Sequence, residues 1–165
     1  MMSDLPPGFA DSSRGVPVSL HAHGDRVYLG IVNRLLMLDQ AKEPVTMSFS
    51  LDIRSLTCWG SRTQTRVAAT FPHGCALVWH DSSGCSTEFF ASGVSNPTVG
   101  FNRLGDLVVA SAGAFQVYST RNRRLTLVAE SSRAYSEPIA VLPAPSFDQF
   151  ALVSDSGQVK VFELP

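Results

Sequence analysis

Four short blocks recur along the chain, each opening on Gly or Asn, running through apolar residues and closing on a large apolar one. They read Asn33-Arg-Leu-Leu-Met-Leu38, Gly74-Cys-Ala-Leu-Val-Trp79, Gly113-Ala-Phe-Gln-Val-Tyr118 and Gly157-Gln-Val-Lys-Val-Phe162. The closing residues lie 41, 39 and 44 apart. A period of about 40 residues built from strand-like runs marks a repeat architecture, in which each unit must stack on the next to bury its core.

From residue 16 onward, short β-rich runs alternate with turn residues, and no helical period is sustained. The first repeat predicts strands at 18–22, 26–32, 34–38 and 46–51, and the second at 53–59, 66–71, 76–80 and 86–91. The third predicts 98–101, 107–111, 115–119 and 125–129, and the fourth 139–142, 150–154 and 159–164. Each unit is a meander of antiparallel strands joined by hairpin-length connections. Several strands are apolar at consecutive positions: Leu35-Leu36-Met37-Leu38, Leu77-Val78-Trp79 and Val108-Val109-Ala110. Successive strand residues point to opposite faces, so these strands need cover on both sides. Stacked propeller blades supply it, because each sheet lies between two others.

The segments 56–81, 98–120 and 139–163 resemble blades of the WD-repeat β-propeller family. The nearest match to its Trp-Asp ending is Val78-Trp79-His80-Asp81, with one residue inserted; the other copies end Leu38-Asp39, Tyr118-Ser119 and Phe162-Glu163. In Ser154-Asp155-Ser156-Gly157 the resemblance gives Asp155 the family's structural turn position. The family's Gly-His pair is missing from all four repeats, so its buried His–Trp–Asp hydrogen-bond network is expected to be absent or incomplete.

The expected fold is thus all-β and β-propeller-type, with about four WD-like blades. A flexible lead-in at 1–15 precedes a propeller region at 16–165, with blades at about 16–52, 53–95, 96–135 and 136–165. The fourth repeat lacks an outer strand, and residues 9–16 are the nearest candidate to supply it. Since propellers of this family usually have seven or eight blades, a partial propeller or one completed by association is favoured over an isolated four-bladed disc. An ordinary β-sandwich with accidental periodicity is the competing fold.

Composition narrows the class of function. The 165 residues are 44% hydrophobic and 16% charged with net charge −1, which suits a folded domain and gives no electrostatic case for nucleic acid or a membrane surface. No apolar run approaches a membrane span, and the first residues do not read as a secretory signal. Three cysteines, Cys58, Cys75 and Cys85, do not make a disulfide framework, so an intracellular compartment, cytoplasmic or nuclear, is expected.

Four residues near the second block, His73, Cys75, His80 and Cys85, suggest a metal set at first sight. The spacing is not that of a structural zinc site, and Cys75 and His80 fall on opposite faces of one strand. The plainer reading is a turn His, a small buried Cys and a strand-end His. Cys58 has no basic neighbour in sequence and reads as a packing residue. His21 and His23 share a strand face, as a solvated strand end or a metal foothold. The densest positive cluster, Arg121-Asn122-Arg123-Arg124, sits at a hairpin tip. Arg121, Arg123 and Arg124 are the candidate contacts for an acidic protein segment or a phosphate backbone, against the plainer reading of a solvated hairpin tip.

No phosphate-loop, metalloprotease or nucleophile-elbow motif occurs, and turn residues such as Asp25, Asp106, Asp148 and Asp155 have local backbone roles. The expected function is a non-catalytic protein–protein interaction scaffold within a multi-subunit assembly, without a cofactor. Its partners would be protein subunits or peptide segments, including self-association through an open blade edge. The alternative is an enzyme or small-ligand propeller whose central channel gathers polar residues such as His21, His23 and His73.

Overall fold

The computed structural model describes residues 17–39, 42–61, 63–90, 95–132 and 137–164. Fifteen strands among them form four antiparallel sheets in chain order. The first sheet holds β1 (Pro17–His23), β2 (Arg26–Ile31), β3 (Arg34–Asp39) and β4 (Val45–Ser48). The second holds β5 (Ser55–Gly60), β6 (Gln64–Phe71), β7 (Gly74–Asp81) and β8 (Gly84–Phe90). In the third are β9 (Thr98–Phe101), β10 (Leu107–Ser111), β11 (Ala114–Ser119) and β12 (Thr126–Ser131). The fourth has β13 (Pro138–Pro143), β14 (Gln149–Ser154) and β15 (Val159–Glu163).

Each of the fifteen strands expected within the four repeats is present, and only the ends differ. The largest difference is at β4, which stops at Ser48 because Asn33 captures the chain beyond it. The Phe49 N–H donates to the Asn33 carbonyl at 2.8 Å, and Asn33 Nδ2 donates to the Phe49 carbonyl at 2.8 Å. A turn stapled on both sides cannot continue the ladder.

The apolar pairs in consecutive positions are divided between two cores. Val67, Ala69, Ala76 and Val78 pack with Tyr28, Leu35 and Met37 of the first sheet. Their chain neighbours Ala68, Leu77 and Trp79 pack with Phe101, Leu107 and Val109 of the third. One step further, Val108, Ala110 and Val117 pack with Val141, Phe150 and Leu152 of the fourth. Ile31 and Leu36, with Leu29 and Leu38, form a smaller cluster on the far face of the first sheet. Strand alternation therefore feeds three successive interfaces, which is how blades stack. Two facing sheets, as in a sandwich, would have given one.

Each sheet's first strand is its innermost, and contacts run from β1 to β5, β5 to β9 and β9 to β13. The last approach is closest. A Cβ on Gly100 would lie 2.5 Å from the Val141 carbonyl oxygen and 2.7 Å from its Cβ, so only Gly lets β9 lie against β13. No comparable packing joins the fourth sheet back to the first among the described residues. The lead-in at 1–15 and the candidate closing strand at 9–16 lie outside the described residues. The expected turn at Ser154–Gly157 is present, but Asp155 is exposed. The side-chain work falls to Ser154, whose hydroxyl lies 2.8 Å from Ser156 Oγ and accepts the Gln158 N–H at 3.2 Å.

Candidate functional site

In a four-strand meander the first-to-second and third-to-fourth turns lie at one end of the sheet, and the second-to-third turn lies at the other. The first end, here the turn rim, gathers Arg26, Asp39, Arg66, Asp81, Arg103 and the Arg121–Arg124 turn. Arginines from this rim bridge every junction between neighbouring sheets.

At the first junction, Arg26 pairs with Asp39 at 3.3 Å and donates to Thr65 Oγ1 at 3.0 Å and the His80 carbonyl at 3.4 Å. Beside it, the Tyr28 hydroxyl and His80 Nδ1 lie 3.0 Å apart in a buried contact. Burial pushes the His80 pKa below its ordinary value, and the neighbouring Arg26 guanidinium adds to that.

At the second junction, Arg66 donates to the Gly105 carbonyl at 3.0 Å while its guanidinium lies 4.4 Å from the Trp59 ring centroid. The Thr120 hydroxyl donates to the same carbonyl at 2.6 Å, and Trp79 Nε1 donates to the Thr120 carbonyl at 3.1 Å. Gly105 has φ +83°, and a Cβ there would overlap both Trp59 and Arg66. Trp79 thus takes part in a buried network, as the resemblance requires of the Trp position, but with Thr, Arg and Gly in place of His and Asp. At the third junction, Arg103 donates to the Pro145 carbonyl at 2.6 Å and lies over the Phe147 ring at 5.2 Å.

The Arg121–Arg124 turn divides its charges between structure and solvent. Arg124 N–H donates to the Arg121 carbonyl at 3.1 Å, with Asn122 and Arg123 at φ +55° and +54°. Two left-handed residues in succession give the hairpin twist that suits antiparallel strands. This backbone turns Arg123 back onto the second sheet, where it forms an ion pair with Asp81 and bonds Ser83 Oγ at 3.0 Å. The Ser83 hydroxyl and Arg123 together hold the Asp81 carboxyl well below the usual carboxylate range. Arg123 is therefore a clasp between sheets. Arg121 instead lines a groove of about 260 Å³ at the third junction, with Leu104, Val128, Leu164, Asp106 and Asp148. Arg124 is exposed on the same turn.

Repeat arithmetic carries a signal for the first two clasps that motif reading overlooked. Arg26 and Arg66 are 40 residues apart, close to one period, and each stands five residues before the residue that leads into the central hairpin turn of its sheet, Ile31 and Phe71. A charge repeating in phase with the core marks a shared structural task.

The other candidates are dispersed. His73 is exposed in the β6–β7 turn, at the opposite end of the sheets from His23, which closes β1. The side chains of His21 and His23 lie outside the described residues. Cys75 faces the third sheet and His80 the first, so they stand on opposite faces as expected. Burial pushes the Cys58 and Cys75 thiols up to about 12, and it raises Cys85 as well. Among the described residues no three His, Cys, Asp or Glu side chains gather as metal ligands. No described helix is long and apolar enough to cross a membrane.

A second surface belongs to the fourth sheet. Its near face supplies Val141, Phe150, Leu152 and Phe162 to the third core. On the far face, the register sets Leu142 beside Ala151 and Val161, and Ala140 beside Val153 and Val159. Leu142 is 48% exposed, Val159 61% and Val161 59%, with Ile139 at 60% on the same strand as Leu142. This is a contiguous apolar patch in contact with solvent.

No protein-family model and no curated protein matches the chain. Its backbone is similar to the β-propeller domain of Myceliophteria thermophila Cps50 (Swd1), with TM-score 0.66 and 14% identity over 90% of this chain and 51% of that one. It is also similar to BBS1N in complex with ARL6DN, with TM-score 0.66 and 13% identity over 96% of this chain and 54% of that one. Virginiamycin B lyase from Staphylococcus aureus gives TM-score 0.61 and 10% identity over 94% of this chain and 58% of that one. The chain thus spans between 51% and 58% of the length of these structures. Identities this low show the fold alone, and that fold is the β-propeller.

Proposed function

We propose that the chain is a non-catalytic protein–protein interaction module of the WD-like propeller type, serving as an intracellular scaffold subunit of a larger assembly. The observation that carries this is the fourth sheet's far face, where Leu142, Val159 and Val161 meet solvent in a molecule whose other sheets pack face to face. A patch of this kind is what an association surface looks like before it is covered.

One of the similar structures supports the proposal. The similar structure BBS1N is held in complex with a protein, ARL6DN. The fold also serves a lyase, so fold alone does not choose between binding and catalysis. The chemistry of this chain favours binding: its thiols are raised by burial, and His23 and His73 sit at opposite ends of the sheets. Size-exclusion chromatography with light scattering over a concentration series tests the proposal. Association that grows with concentration and is removed by Val161→Asp is expected. A well-behaved monomer throughout, unchanged by that substitution, would overturn the assembly role.

A further inference from the structure

The ladder of the fourth sheet is paired on one side of β15 and open on the other. The Ser154 N–H donates to the Gln158 carbonyl at 2.9 Å, and the Leu164 N–H donates to the Asp148 carbonyl at 3.1 Å. The register between these bonds is unbroken, with Lys160 opposite Leu152 and Phe162 opposite Phe150. In an antiparallel pair alternate residues bond to the same neighbour, so the even-numbered residues of β15 bond to β14. The N–H and C=O groups of Val159, Val161 and Glu163 therefore point the other way, where no strand lies among the described residues. All three residues are exposed.

The other sheets show what belongs on that side. Each of their third strands carries a fourth, β4 beside β3, β8 beside β7 and β12 beside β11, and every pair is antiparallel. Met37, Val117 and Val161 each stand one residue before the closing position of their block. Met37 pairs with Val45 and Val117 with Ala129, so this place takes a small or β-branched apolar residue twice. The rim end of the edge also holds a seat. The groove of about 260 Å³ is lined by Leu164, directly after β15, and by Val128 of β12, the strand that fills the same place in the third sheet. Leu104 adds a third apolar wall. A strand laid antiparallel along β15 would start at this groove and could set a side chain in it.

We infer that this edge binds an extended segment of a partner protein, which pairs with β15 as a fourth strand and seats an apolar residue in the groove. The inference rests on the scaffold proposal and names the form of its partner, a β-strand recognised through its backbone. Partner residues opposite Val159, Val161 and Glu163 must donate N–H groups, so Pro is barred at those places and tolerated between them. The added strand lies beside β15 and leaves the far-face side chains in contact with solvent.

Linear peptides of about ten residues, displayed on phage and panned against the full chain, supply the probe. Enriched sequences should be rich in β-branched and aromatic residues, with an apolar residue near the amino-terminal end. A synthetic peptide of the consensus is then methylated at one backbone nitrogen at a time. Affinity should fall about tenfold or more at every second position and stay within about twofold between them. Amide exchange followed by NMR reads the other side of the ladder. The N–H groups of Val159, Val161 and Glu163 should exchange quickly in the free chain and slowly in the complex. Val161→Pro removes the central outward N–H where an edge strand tolerates Pro, and should abolish binding. Val161→Asp keeps that N–H and should bind the peptide as the parent does. If Val161→Pro fails to fold, the methylation series on the parent decides.

No enrichment, methylation effects without the two-residue period, or no added protection on β15 would overturn the inference. Slow exchange of these amides in the dilute free chain would mean that the chain fills its own edge. Slowing that grows with protein concentration alone would assign the edge to a second copy. Either result removes the partner segment. Association abolished by Val161→Asp in a chain that selects no such peptide would sink this inference and leave the scaffold proposal standing. Peptide binding by a chain that never associates would remove the far-face role and keep the strand site.

Discussion

Strands β7 and β15 grow from equivalent blocks of the repeat, yet β7 is buried at seven of its eight residues and β15 is exposed at four of its five. Both are the third strand of a meander, and both carry apolar residues that alternate in direction. What differs is the company. The second sheet lies between the first and the third, so Val78 and Trp79 enter different cores. Among the described residues the fourth sheet packs only its near face, so Phe162 is covered and Val159 and Val161 are not. Burial in a stacked repeat is a property of the neighbouring units as much as of the sequence, which is why equivalent strands in different sheets differ so much in exposure.

The sharpest way to break that comparison is to place the same charge in both strands. Val78→Asp buries a carboxylate in the first core at a residue with no exposed surface. Desolvation plus lost packing should cost about 4 kcal/mol or more, read as a collapse of the chemical-denaturation midpoint. Val161→Asp, at a position 59% exposed, should stay within about 0.5 kcal/mol of the parent. Equal destabilisation of the two variants would mean that β15 is covered in solution, and the contrast between the sheets would be lost.

The strands and the two-sided cores were legible because they rest on local periodicity. Leu77-Val78-Trp79 announces two buried faces without any knowledge of which sheets supply them. The junction chemistry was not legible in the same way. Arg66 reads as a surface charge until Gly105, Trp59 and Thr120 are brought to it, and each of its partners belongs to another strand or another sheet. The missing Gly-His pair led to the expectation of an absent or incomplete network. It could not signal the substitute, in which Trp79 reaches the Thr120 carbonyl. At the Arg121–Arg124 turn, composition gave a basic cluster, whereas the left-handed backbone decided that Arg123 would serve the fold.

A smaller effect should separate the first junction from the others, because it alone among the described residues encloses a buried histidine bonded to a tyrosine. With the ring neutral and its proton on Nε2, the Tyr28 hydroxyl donates to Nδ1. Protonation would reverse that contact and add charge in a buried site near Arg26 and Lys42, against the opposing pull of Asp39 and Asp81. The folded pKa lies below the ordinary value of 6.5, so the unfolded chain takes up the proton first. Stability from this group is therefore complete above that value and falls as pH drops through it, levelling once the folded ring is also charged. Denaturation midpoints at neutral and mildly acidic pH should fall further in the parent than in His80→Gln. An equal fall in both would show that the first junction is no more acid-sensitive than the rest.

The smallest effect concerns the clasp between the second and third sheets at Asp81 and Arg123. Arg123 is 39% exposed at its side chain and Asp81 17%, so the ion pair is partly wet, and pairs of this kind are worth about 0 to 1 kcal/mol. Arg123 also pays for its position with a left-handed backbone, at φ +54°, which an L-residue adopts at a cost of about 1 kcal/mol. Two substitutions separate these contributions. Arg123→Ala removes the ion pair and keeps the strained backbone, so it should lower stability by up to about 1 kcal/mol. Arg123→Gly removes both, and should return close to the parent or slightly above it. If Gly proves worse than Ala, the clasp is not what holds this turn in its left-handed form. The turn would then owe its shape to the strands on either side, and the third sheet would need no partner to fold its own edge.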